Sequence, residues 1–344
     1  MQDNQVFIFG AGGNGAGHLK SLKPGVRLAG FLDNDPAKQG STFCGHPVYS
    51  CDDLPRLGPG NIYIASTFCL EITSQLLRNP NLASCTVVDY TLKALFEMEK
   101  KAEEKKRAII TGNSYAFYGL DDACLDEHVV NLSLNGQDIQ TDYLLLQRAV
   151  QAVAPGSVRF VLITLYHYIF DYETCKRENM ETEYIYSFLK DPSLSAEAYS
   201  SVFTEDLGRN IKESYGLMLT PEMIRSAPHE AKIRSERLYP ASRKRTVAVL
   251  EEMTRYVLKQ GIQPVFVVFP MHGAYIRGLD PEHMWFFNAT VNAVAREYDV
   301  PLLDGLEYPL PDRAFGDSSH VNGIGSTLFS LEIRRVLETL RLPT

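Results

Sequence analysis

Ala108-Ile-Ile-Thr-Gly-Asn-Ser-Tyr115 decides how this chain folds. A short apolar, β-prone run, a Gly-Asn turn and the start of a helical stretch make a buried strand that hands over to a helix. Such a turn lies at the carboxyl edge of an α/β sheet, where these folds bind their ligands, so Ser114 presents its hydroxyl at a functional edge.

Working outward, Val129-Val-Asn-Leu132, Arg159–Thr164, Pro264–Phe269 and Pro301–Asp304 read as further strands, with helices over Trp285–Tyr298 and Ser326–Leu340. Residues 108–344 are therefore expected to form one layered α/β domain. Upstream, Val6–Phe9, Arg27–Leu32, Asn61–Ala65 and Thr86–Val88 predict a second, smaller parallel sheet over 1–95. The charge-rich run Glu97–Arg107 has no apolar face and reads as a solvated linker helix, 96–107, between the two. Residues 176–241 are polar, rich in Tyr and Glu, and longer than a connection needs. They read as an inserted helical cap over a site, or more simply as a surface excursion.

Composition narrows the function. The 344 residues are 45% hydrophobic and 22% charged, enough for two cores. Net charge is 34 − 42 = −8, against a broad nucleic-acid or anionic-membrane surface. The longest apolar run, Phe160–Phe170, is broken by Thr164 and His167 and falls short of the ~20 residues of a membrane helix. The start runs straight into Val6–Phe9 without a secretory pattern, so a cytoplasmic protein is expected. The six cysteines form no CxxC pair and are expected to be reduced, mostly buried thiols. No metal pattern is present, His18 and His46 being far apart.

Gly10-Ala-Gly-Gly-Asn-Gly15 follows a strand and opens a helix, the setting in which Gly10, Gly12 and Gly15 let backbone N–H groups approach a phosphate. Asp33, 18 residues after Gly15, stands where a carboxylate accepts from ribose hydroxyls. The plainer alternative is that the glycines only permit the turn and that Asp33-Asn-Asp-Pro36 is itself a turn.

Asp317-Ser-Ser-His320 sets a carboxylate and an imidazole within one turn. A serine hydroxyl needs a base to take its proton, and that base needs a carboxylate to fix its tautomer, so Ser114, His320 and Asp317 suit a triad. Singly, each also serves as a cap or loop residue. Tyr166, His167 and His272 follow strand ends and are candidates to line the same crevice, and Tyr166–Tyr172 offers aromatic faces to a sugar, or simply core.

Two resemblances sharpen this. Val6–Gly15, Gly30-Phe-Leu-Asp-Asn-Asp35, Gly40, Gly45-His-Pro-Val48 and Leu54 resemble the small Rossmann-like domain of bacterial sugar-modifying enzymes, including the N-terminal part of sugar O- and N-acyltransferases, over about residues 4–90. That resemblance implies a nucleotide or nucleotide-sugar at Gly10, Gly12, Gly15 and Asp33. Ser114 after its strand, Asn131-Leu-Ser-Leu-Asn-Gly136 and Phe315-Gly-Asp-Ser-Ser-His-Val-Asn-Gly-Ile-Gly325 resemble the SGNH/GDSL hydrolases over about residues 108–340. It implies Ser114 as nucleophile, Asp317 and His320 as orienter and base, and the backbone N–H groups of Ser114 and Gly136 as oxyanion donors. Two departures stand out: Gly-Asp-Ser is Gly112-Asn113-Ser114, and the family's Gly-x-Asn-Asp is replaced by Thr164-Leu-Tyr-His-Tyr168. Asn135, Tyr166 or His167 would then have to supply the missing donor.

The expected protein is thus a two-domain α/β serine esterase or O-acyltransferase of sugar or glycoconjugate precursors, in a setting such as polysaccharide biosynthesis. Its partners would be an acyl donor and a sugar, its catalysis would need no cofactor, and it is open to homo-oligomer formation. The main alternative is a non-catalytic carbohydrate or nucleotide-sugar binder; an NAD-dependent oxidoreductase rests on the glycine loop and Asp33 alone.

Overall fold

Runs of β-branched and aromatic residues with almost no exposed surface make the centre of each sheet: Phe7, Ile8, Phe31 and Ile62 in one, Ile109, Ile110, Phe160, Val161, Phe266 and Val267 in the other. In the computed structural model, residues 5–66, 68, 72, 75, 76, 78, 79, 86–89, 106–125, 128–133, 135–173, 201–204, 207, 218–236 and 238–340 are described. The chain divides into two units, 1–97 with 175–215, and 98–174 with 216–344.

The first unit carries β1 (Gln5–Phe9), α1 (Gly13–Lys20), β2 (Leu28–Leu32), β3 (Thr42–Phe43), β4 (His46–Tyr49), α2 (Leu54–Leu57), β5 (Gly60–Ile64) and β6 (Thr86–Asp89). Sheet order is β3-β4-β2-β1-β5-β6, parallel except for the β3–β4 hairpin. The direction of winding reverses between β1 and β5, the switch point of a Rossmann-like sheet, so the glycine loop after β1 lies at the edge such sheets use. The hairpin is absent from the sequence expectation. Its two-residue turn, Cys44 (φ 49°) and Gly45 (φ 79°), has both residues left-handed, the twist that closes a tight hairpin.

The second unit carries β7 (Lys106–Thr111), α3 (Ser114–Gly119), α4 (Asp122–Leu125), β8 (Val129–Asn131), α5 (Ile139–Gln151), β9 (Val158–Leu165), α6 (Pro221–Ser235), α7 (Arg243–Lys259), β10 (Gln263–Val268), α8 (Gly273–Ile276), α9 (Pro281–Glu297), β11 (Leu302–Asp304) and α10 (Gly323–Thr339). All its strands run parallel in the order β11-β10-β9-β7-β8. This is the flavodoxin-like winding, whose switch point falls between β7 and β9. Polar side chains start the helices: Asp138 accepts from Thr141 N, Thr220 from Met223 N, Asp280 from Glu282 N, and Asn322 from Ile324 N and Gly325 N. The α/β class with two parallel-dominated sheets is as expected.

Three details differ from expectation. The linker helix cannot reach 107, because Lys106 already pairs with Val158 as β7 begins; residues 96–105 lie outside the described residues. The excursion 176–241 is not one cap on the second unit. Its described residues Val202 and Phe203 belong to the first, where Lys23 N donates to Val202 O and the Phe203 ring packs edge-on to His18 and Tyr63; α6 belongs to the second. Of the cysteines described, only Cys51 is buried, while Cys44 is exposed and Cys124 half-buried. No helix among the described residues is long and apolar enough to cross a membrane.

Candidate active site

The turn after β7 fixes the serine. Gly112 has φ 135°, and a Cβ there would stand 1.6 Å from Thr164 Oγ1, so glycine is required on both counts. Thr164 itself donates to Thr111 O at 2.5 Å, locking β9 against β7. Asn113, fully buried, accepts from Tyr115 N at 3.0 Å through Oδ1 and donates to the Tyr168 hydroxyl at 3.3 Å through Nδ2. An aspartate at this position would cap the helix in the same way, but the amide does so without burying a charge beside Tyr168.

Across the sheet edge, Ser114 Oγ lies 2.9 Å from His320 Nε2, and His320 Nδ1 lies 3.0 and 3.1 Å from the two Asp317 oxygens. Asp317 Oδ1 also accepts from the backbone N–H groups of Ser319 and His320, both at 2.7 Å. Burial alone would raise the Asp317 pKa; the His320 charge and these hydrogen bonds overcome it and hold the carboxyl well below the usual carboxylate range. An ionised Asp317 only accepts, so Nδ1 carries the proton and Nε2 is left to take the serine's. Tyr115 stacks on the imidazole, with ring centroids 4.8 Å apart and planes at 27°, and Tyr118 meets it edge-on at 6.0 Å. The three triad residues named from sequence are thus brought together.

The other named residues have different places. Gly136 turns with φ 73°, and its carbonyl accepts from the Tyr172 hydroxyl. Asn135 Nδ2 gives one of its two N–H groups to the Tyr118 hydroxyl at 3.1 Å, while the Tyr166 hydroxyl donates its single proton to Gln137 O at 2.9 Å and so is committed elsewhere. His167 is buried; desolvation first, then the charges of Arg234, His283 and His320, hold its pKa well below 6.5. His272 caps α8 by accepting from Ala274 N, faces Asp312 at 3.3 Å, and its backbone N–H donates to Ser318 O, which steadies the 317–320 loop. Tyr166, Tyr168, Ile169, Phe170 and Tyr172 are all buried, so the aromatic run is core rather than an open sugar platform.

Sequence reading missed two supports. Asp142 of α5 is fully buried beneath the Ser114 turn and accepts from Gly112 N at 3.0 Å and from Gln137 Nε2; burial pushes its carboxyl up to about 8. Behind β9, Arg243 Nε donates to Asp171 at 2.6 Å, His283 Nδ1 lies 3.1 Å from the same carboxylate, and His283 Nε2 donates to His167 O at 2.6 Å. This chain pins the backbone that follows β9. His167, following a strand end, gave a signal for this stretch; Asp142, inside a helical run, gave none.

In the first unit, Asp33 accepts from Ala11 N and Asp35 N, both at 2.9 Å, and pairs with Lys38 at 3.0 Å. Burial opposes ionisation of Asp33, yet these contacts lower its pKa. A Cβ on Gly10 would meet Ala65 O at 2.4 Å and one on Gly15 would meet Gly10 O at 2.0 Å, whereas one on Gly12 would meet nothing within 4 Å.

No protein-family model matches the chain, and no curated protein matches it. Solved structures do resemble it. A GDSL-like lipase from Bacteroides thetaiotaomicron aligns at 13% identity and TM-score 0.40, over 72% of this chain and 98% of its own. A lipase/acylhydrolase from Enterococcus faecalis aligns at 12% identity and TM-score 0.36, over 69% of this chain and 99% of its own.

Proposed function

We propose that this protein is a serine esterase or O-acyltransferase acting through an acyl-serine, on a sugar or glycoconjugate precursor. The observation that carries the reading is the Ser114–His320–Asp317 geometry, with Nδ1 3.0 Å from the Asp317 carboxylate and Nε2 2.9 Å from the serine oxygen. His320 Nε2 takes the hydroxyl proton as Ser114 Oγ bonds to the acyl carbon; the bond to the leaving alcohol breaks and the alcohol receives that proton. A second hydroxyl, of water or sugar, gives its proton to Nε2 and attacks the acyl-serine, and Ser114 leaves reprotonated. Negative charge on the carbonyl oxygen would be met by the N–H groups of Ser114 and Gly136. The sugar and the transfer reaction rest on the sequence resemblances alone, as does a nucleotide or nucleotide-sugar at Gly12 and its neighbours.

The test is intact-mass analysis after treatment with a neutral fluorophosphonate. One label per native chain is expected, with none on Ser114→Ala and little on His320→Ala. A well-folded native chain that stays unlabelled overturns the catalytic reading in favour of a binding protein.

A further inference from the structure

α6 brings a cation to the triad. The helix packs on α8 so closely that a Cβ at Gly278 would lie 2.4 Å from Pro228 Cα, and its small residues Ala227 and Ala231 are buried. On its last turn the guanidinium of Arg234 sits 5.9 Å from the centroid of the Tyr168 ring, the ring whose hydroxyl accepts from Asn113, next to Ser114. Arg234 interacts electrostatically with Tyr168, Tyr115, Tyr275, His167 and Asp317, so its charge reaches the triad from the side of α6.

This arginine is solvent-exposed, and among the described residues no carboxylate lies within ion-pair distance of it. Its natural helix partner is turned away: Glu230, one turn earlier, accepts from Ser318 Oγ at 3.1 Å and from Ser226 Oγ at 2.7 Å. Asp317, the carboxylate with which Arg234 interacts electrostatically, is committed to His320. A charged fork without a carboxylate partner, set against the ring whose hydroxyl bonds the residue next to Ser114, in a chain of net charge −8, is unusual unless something anionic comes to it.

We infer that Arg234 is the recognition residue for an anionic group, a carboxylate or a phosphate, carried by the ester substrate or by the acceptor. This rests on the catalytic reading above and specifies its substrate class. The anion is held outside the bond-making atoms, so Arg234 acts on binding rather than on the chemical step.

Two arms test it. In the first, native protein and Arg234→Gln are compared on p-nitrophenyl propionate and mono-p-nitrophenyl succinate, which differ by one carboxylate, with succinate and inorganic phosphate as competing anions. The expected result is a native preference for the succinate ester in kcat/KM, expressed mainly in KM, that falls about 10- to 100-fold in Arg234→Gln, the worth of a charge-assisted hydrogen bond. Competition by succinate points to a carboxylate in the natural substrate and competition by phosphate to a phosphate. An equal loss on both esters makes Arg234 an oxyanion or structural residue and overturns the proposal, as does absence of any preference in the native enzyme. The second arm needs no turnover: calorimetric binding of succinate and phosphate to Ser114→Ala, with and without Arg234→Gln. Binding that vanishes with the arginine supports the anion site even if fluorophosphonate labelling fails; labelling without anion binding leaves the esterase and removes the anion site.

Discussion

The backbone N–H of Gly112 donates to Oδ1 of Asp142, 30 residues later, at 3.0 Å. The turn that presents Ser114 therefore stands on a buried carboxyl, and that carboxyl prefers its proton. With a folded pKa of about 8 against about 3.9 in the unfolded chain, the native state binds the proton more tightly. The stabilising contribution is complete below about pH 4 and is lost as pH rises through about 8. Asp142→Asn mimics the protonated form, so its unfolding free energy in urea should gain on that of the native protein between pH 5 and pH 8, by up to about 1.4 kcal/mol per pH unit, and level off above. Parallel curves for the two proteins would show that the carboxyl ionises without cost.

Asp317 has the opposite sign. Its pKa is held down, so the stability it contributes is present above the unfolded carboxylate value and disappears as pH falls below it. Asp317→Asn removes the acceptor that keeps the proton on Nδ1, and ester hydrolysis should drop about 10³- to 10⁴-fold with the fold intact. Steady-state rates beside circular dichroism check this; a loss under tenfold would mean that Asp317 does not orient the base.

Asn113 offers a test of why the sequence departs from Gly-Asp-Ser. Asn113→Ala should cost about 1 kcal/mol for the lost cap, and more for the Tyr168 hydroxyl left without its donor. Asn113→Asp keeps the cap but buries a carboxyl, so it should be less destabilised at pH 4 than at pH 8. Urea titrations at both values decide, and pH-independent stability of Asn113→Asp would contradict the account.

The three glycines of the first loop should separate by thermal melting. Gly10→Ala and Gly15→Ala force a Cβ into a backbone oxygen and should lower the melting temperature markedly, whereas Gly12→Ala, with open space around it, should change it by a degree or two. Equal effects at all three would remove the distinction between a packing role and an open approach.

The fold was legible because its strands are short, contiguous apolar runs such as Arg159–Thr164, and because helices alternate with them. The triad was legible because Asp317 and His320 are close in sequence and Ser114 follows a strand end directly. What stayed hidden depends on contacts between distant segments. Asp142 looks like any polar residue of an amphipathic helix, and Arg234 acquires a meaning only when Pro228 meets Gly278 and swings α6 toward the triad. Two-residue strands such as Thr42–Phe43 are too short to show a period, and the Tyr166–Tyr172 run looks the same whether it faces a ligand or a core.

Ser114 and His320 are 206 residues apart, and the histidine comes just ahead of α10, the last helix among the described residues. Synthesis therefore delivers the nucleophile long before its base, and a nascent chain carries only an ordinary, unreactive serine alcohol. Closing so long a loop comes late among the ordering events of folding. On the catalytic reading proposed above, competence then acts as a certificate of completion: a chain in which Asp317 and His320 have not yet met Ser114 is inert toward esters, and reactivity waits for the two ends of the second unit to come together.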